Sequence, residues 1–191
     1  MAAAAVAIGA VGATGGAGLG GSTAGESVSV RGKSEGKQSA KKGDRDGAWK
    51  KMGMKVRKQI RKQDPECLTA SHGQVREFLL RTPCTYLDRE LLVLDDAEGN
   101  AAVLSLAWVG FRTSGDRSRF DSVIDVQGSG DIYPLGAALL GMADIVFTGY
   151  NYDAEPNGKS IAIAEAEAAG GQFEPGFLDA LAEVASQLPR P

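Results

Sequence analysis

The sequence predicts an α+β fold: a four-stranded antiparallel sheet made from two hairpins, with three helices packed on it, preceded by a disordered arm. Two observations carry this. From residue 64 onward, short apolar runs bounded by turn signals alternate with segments of helical periodicity. Charge also divides the chain sharply. Residues 1–63 hold 13 basic and 4 acidic side chains, whereas residues 64–191 hold 8 basic and 20 acidic. At 191 residues and 43% hydrophobic, the chain suffices for one core and not for two.

Residues 1–24 are an apolar signal or anchor candidate. Positions 2–20 carry no charge and consist largely of Ala and Gly, with Val6, Ile8, Val11 and Leu19 as the large aliphatics. A run of about 20 uncharged residues matches a bilayer's hydrocarbon core. Ser22-Thr23-Ala24 supplies small residues for cleavage after Ala24. No basic region precedes the run, and Gly weakens a helix, so an Ala/Gly tail is the competing reading. The spacing Gly9-x-x-Gly12-x-x-Gly15 imitates a dinucleotide-binding turn, but a glycine-rich, charged segment follows where a helix would have to start. No cofactor is expected.

Residues 25–47 are Gly, Ser, Lys and Asp with almost nothing to bury, which predicts a disordered linker. Residues 48–63 then predict a basic amphipathic helix. Trp49, Met52, Val56 and Ile60 recur at spacings of three and four, while Lys50, Lys51, Lys55, Arg57, Lys58, Arg61 and Lys62 cover the remainder. Such a helix either faces an anionic surface or docks on the acidic domain that follows.

The domain itself is expected over 64–191. Ser71 and Gln74 form a capping-box pattern ahead of Val75, Phe78 and Leu79, and Pro83 limits that helix. Cys67 and Cys84 flank it and are the only cysteines, so they read as a disulfide in an oxidising compartment; two buried free thiols are the alternative. The apolar run 91–94, the acidic turn 95–100 and the return 103–109 predict a hairpin whose second strand is covered on both faces. That turn lacks the ligand ladder of a calcium loop, and one histidine with two cysteines excludes the usual zinc sets, so no metal is expected.

Ser114 caps an expected helix over 115–125, with Phe120, Val123 and Ile124 inward. A glycine-rich loop follows, in which Gly128, Gly130 and Asp131 are ligand-site candidates, although Asp131 argues against an anion. A second hairpin is expected from 145–152, the Asn157-Gly158 turn and 159–168. In its return strand Ile161, Ile163, Glu165 and Glu167 share one face, and the alanines between them share the other. Glu165 and Glu167 form a same-face carboxylate pair and are further ligand-site candidates. Phe177, Leu178, Leu181, Val184, Ala185 and Leu188 mark a C-terminal helix.

The pattern Cys67…Cys84-x-x-Leu87-x-Arg89, then Val93-Leu94-Asp95 and Ala107-Trp108-Val109, resembles a group of uncharacterised exported or membrane-anchored actinobacterial proteins, over roughly residues 64–190. The resemblance implies an envelope location and brings no activity with it.

No nucleophile–base–orienter set is visible, and His72 sits at a helix start where a surface role suffices, so no residue is assigned as catalytic. The expected function is a non-enzymatic domain, secreted or membrane-anchored outside the cytoplasm, that binds a protein or a small molecule. Its expected partners are an envelope protein or an anionic membrane surface. The alternative is a cytoplasmic protein whose basic arm, residues 31–62, binds nucleic acid or an anionic membrane. The acidic domain would repel phosphates and argues against nucleic acid.

Overall fold

The structure, a computed structural model, describes residues 24–141 and 145–191, apart from the side chains of residues 24–31 and 137. The signal or anchor candidate lies outside the described residues except for its last, Ala24. Among the described residues no helix is long and apolar enough to cross a membrane.

Five helices and five strands follow in the order α1 (Ala24–Lys41), α2 (Arg45–Lys51), β1 (Lys55–Asp64), α3 (Gly73–Arg81), β2 (Tyr86–Asp95), β3 (Ala101–Gly110), α4 (Ser114–Ile124), β4 (Tyr152–Asn157), β5 (Ser160–Gly170) and α5 (Phe177–Ala185). Short 3₁₀ turns span Leu68–Ala70 and Ala137–Leu140. The strands form one sheet in the order β1-β2-β3-β5-β4, every neighbouring pair antiparallel. The α+β class with an antiparallel sheet is as expected; the count of four strands and three helices is not.

Two layers cover the sheet. On one face α1, α2 and α5 bury Leu92, Leu94, Leu104, Leu106, Trp108 and the alanines of β5. Small β5 side chains let α5 approach closely, and Trp108 Nε1 donates to Leu188 O at 2.9 Å. On the other face α3 and α4 bury Leu87, Val109, Ile161 and Ile163 around the Phe78, Phe111 and Phe120 rings. Leu91, Val93 and Val103 pack beside them under Leu135 and the chain leading to β4. β2 and β3 are therefore covered on both faces, which is why their sequences are apolar at successive positions.

The arm differs most from expectation. Residues 25–47, read as a linker, contain helix α1 and the start of α2. α1 buries Gly36 and Ala40; a Cβ at Gly36 would stand 3.1 Å from Val184 Cγ2. Ion pairs complete the attachment: Lys33 and Lys37 both bond Glu183 on α5, and Lys51 bonds Glu35 at 2.7 Å. Close approach of small residues plus side-chain charge replaces the apolar stripe that sequence periodicity seeks.

The helix expected over 48–63 is two elements. Trp49 and Met52 belong to the end of α2 and its C-cap, and enter the core. Gly53, at φ +73, turns the chain, and residues 55–64 form the edge strand β1. A bulge between Val56 and Lys58 sends Val56 to the α2 side and Ile60 to the opposite cluster. The spacing of four between them thus imitates one helical stripe. Lys55, Arg57, Lys58, Arg61 and Lys62 are exposed along this edge. Arg57 pairs with Asp95 at 3.3 Å, Arg61 with the buried Glu90 at 3.1 Å, and Lys62 with Asp64 at 2.8 Å.

Residues 145–151, expected as strand, are a loop, and β4 begins only at Tyr152. β4 is an edge strand, where Pro156 leaves no ladder bond unmade within the sheet. Ser71 does not cap α3: its hydroxyl donates to Leu68 O, and the N-cap is His72 without a side-chain bond. Thr113, not Ser114, caps α4, its Oγ1 accepting from Asp116 N at 3.0 Å.

Candidate functional site

Gly128, Gly130 and Asp131, together with the sequence-distant Glu165, line one cleft of about 540 Å³ on the α3–α4 face. His72, Asp125, Phe147, Thr148, Tyr150 and Tyr152 complete the parts that bear on chemistry. The fold builds this cleft from three walls.

The first wall is a backbone zipper between residues 70–74 and 129–133. His72 N donates to Asp131 O at 3.0 Å, Tyr133 N donates to Ala70 O at 2.7 Å, and Ser71 and Ile132 form a bridge. The two strands of the zipper touch at glycines. Gly73 and Gly130 both adopt positive φ, and a Cβ on Gly130 would stand 2.2 Å from His72 O. Gly130 is therefore a packing residue. Gly128, at φ +81, lines the cleft with open space around it. The disulfide stands behind this wall: Cys67 and Cys84 are at bonding distance, their Cα atoms 6.2 Å apart, and tie the 3₁₀ turn before α3 to the chain entering β2.

The second wall is the 147–150 loop, held down by the carboxylate pair recognised in the sequence. Glu167 accepts from Thr148 N at 2.9 Å and from the Thr148 hydroxyl, and Glu165 accepts from Gly149 N. Ala166 N donates to Asn151 O at 2.9 Å, fixing the loop's far end. Glu165 lines the cleft; Glu167 anchors its rim.

The third wall is the end of α4 and the start of β4, which bring Asp125 and Tyr152 together. Neither residue carries a sequence signal. Asp125 is the C-cap of an ordinary helix and Tyr152 the first residue of an edge strand. The Tyr152 hydroxyl is buried without a hydrogen bond of standard geometry.

Electrostatics in the cleft follow from burial of like charges. Glu165 is only 6% exposed, and burial drives its carboxyl up to about 7; the Gly149 N–H opposes this, and the negative charges of Asp131 and Glu167 reinforce it. Burial also raises Asp131, against its bond to Ile132 N at 2.6 Å and the nearby His72. Asp125 is raised by burial and by Asp121 and Asp153, with the Tyr152 hydroxyl opposing. Burial and the surrounding carboxylates raise Tyr152, so it remains a neutral donor. Near neutrality the cleft offers a mixture of protonated and ionised carboxyls. Among the described residues no group of three or more His, Cys, Asp or Glu can hold a metal ion.

The basic arm lies elsewhere. Arg45 on α2 bonds the fully buried Glu90 of β2, which also receives Gln59 and Arg61, and Arg45 stacks 5.8 Å from the Trp108 ring centroid. Arg89, on the opposite face, donates to Asp64 at 2.7 Å and to Tyr133 O. Lys50 and Lys51 border a groove of about 850 Å³ over Met52, Met54 and the stacked Phe173 and Phe177 rings, on the α1–α5 side of the sheet. Comparison with protein-family models, curated proteins and solved structures finds no match to this chain.

Proposed function

We propose that this chain is an envelope-associated or secreted domain, without catalytic activity, that binds a small molecule in the Asp131–Glu165 cleft. The observation that carries the reading is the convergence of these two carboxyls, 34 positions apart, in one cavity of ligand size. The disulfide position supports an oxidising compartment, and the resemblance to exported actinobacterial proteins points the same way. The basic arm supports this reading against nucleic-acid binding, because Lys33, Lys37, Arg45, Arg57, Arg61 and Lys62 are ion-paired to carboxylates of the chain's own acidic domain. An anionic membrane surface would have to compete with those pairs.

Two experiments test the proposal. Residues 1–70 fused to a reporter active only outside the cytoplasm should give signal; a silent reporter overturns the location. Ligand-observed NMR of the full chain against polar small molecules (amines, sugars, carboxylates) should find a binder that Glu165→Leu weakens. A panel without binders, or one bound equally by the variant, overturns the cleft as the site.

A further inference from the structure

We propose that the cleft selects an organic ammonium ion, a small cation with an alkyl body; this rests on reading the cleft as a binding site and adds the chemistry of what it takes. Charge gives the first argument. Asp125, Asp131 and Glu165 line the cavity, and the side chains of Asp121, Asp153 and Glu167 add negative field from α4, β4 and β5. Among the described residues the one basic group on its lining is His72, whose ring packs 4.7 Å from that of Tyr133. Arg117 is taken up by Asp121 at 3.2 Å. An anion would meet repulsion from three sides, whereas a cation would gain from every carboxylate that is ionised.

The aromatic content of the same walls gives an independent argument. Phe147, Tyr150 and Tyr152 all line the cleft, and Tyr150 is 78% exposed on the second wall. Ring faces with carboxylates are the combination that recognises ammonium ions, each face contributing through its quadrupole. The backbone of the loop carrying Phe147 and Tyr150 is already held through the N–H groups of Thr148 and Gly149, so less loop ordering is left for a ligand to impose. Aromatic rings supply no ligand to a metal ion but do attract an alkylated cation, which favours an organic cation here.

The test compares shapes that differ only in charge. Full-length protein at pH 8 is titrated by ligand-observed NMR with choline, its neutral isostere 3,3-dimethyl-1-butanol, and 3,3-dimethylbutyrate; n-butylammonium is the second cation. At least one cation should bind about tenfold or more tightly than the neutral isostere, and the carboxylate should not compete. Tyr150→Ala, on an exposed loop, should weaken the cation about threefold while leaving the circular dichroism spectrum unchanged. Equal binding of the neutral isostere, preference for the carboxylate, or no binding of either cation overturns the ammonium assignment. The first two of these leave the cleft standing as a site, and a silent panel of every class removes the site itself.

Discussion

Gly73 and Gly130 touch backbone to backbone: a Cβ on either would stand 2.8 Å from the other's Cα. Both also hold positive φ, +60 and +116. Gly130→Ala therefore combines backbone strain with a clash that nothing flexible can relieve, and should destabilise the fold by at least about 3 kcal/mol. Gly128→Ala, with positive φ but open space around it, should cost about 1 kcal/mol. Urea denaturation of both variants checks the ordering; equal losses would show that strain alone matters.

Glu165 makes the stability of the fold depend on pH in a defined direction. Its carboxyl is raised from 4.5 to about 7, so the folded state binds its proton more tightly than the unfolded chain does. The native state thus bears no penalty from this group below about pH 4.5, and stability falls as pH rises towards 7, by about 3 kcal/mol in all. Glu165→Gln keeps an acceptor for Gly149 N and removes the titration. Thermal melting should show the variant gaining on the parent between pH 5 and 8; parallel curves would contradict the assignment.

Buried charge on the other face gives a mutational prediction. Glu90 is 0% exposed and is held by Arg45, Arg61 and Gln59. Removing the cations one at a time should reveal coupling. Arg45→Met leaves Arg61 and Gln59 in place and should cost about 2 kcal/mol, whereas the Arg45→Met/Arg61→Met double variant strands the carboxylate and should cost about 4 kcal/mol or more. Adding Glu90→Gln to the double variant should recover part of the loss. Chemical denaturation of the four proteins measures it.

Helix α1 should be the first described element to open. Its attachment relies on small residues and on Lys33 and Lys37 at Glu183, pairs that remain partly solvated. Burial pushes the Glu183 carboxyl up, but the two lysines outweigh it and hold it below its ordinary value. A depressed folded pKa means that this contribution is present above about pH 4.5 and lost as pH falls further. Glu183→Gln should cost about 1 kcal/mol and speed amide exchange in residues 32–41 severalfold, leaving β2 and β3 protected. Uniform acceleration along the chain would mean that α1 and the core open together.

The sheet's centre was legible because its burial is symmetrical. The β2–β3 hairpin is apolar on both faces, β5 alternates alanine with larger residues, and α5 carries an unbroken stripe. β1 was not legible, since its two apolar residues point to opposite faces across a bulge and borrow a helical spacing. α1 was missed because its contacts depend on the absence of side chain at Gly36 and on charges 146–150 positions away. Half the candidate site was visible as glycines and carboxylates, but their meeting was not. It depends on β5 inserting between β3 and β4, which carries Glu165 alongside the α3–α4 wall. Asp125, Tyr152 and His72 acquire their setting only from that crossing.

The cationic row on β1 has a consequence for how the molecule behaves in company. An outermost strand with unmade ladder bonds invites a second copy to extend the sheet, and two such rows meeting would bring Lys55 and Lys58 of both copies together, beyond the internally paired Arg57, Arg61 and Lys62. Intermolecular stacking through this border is thereby penalised, so the segment whose composition suggested a hook for foreign polymers also serves as a fence between like molecules.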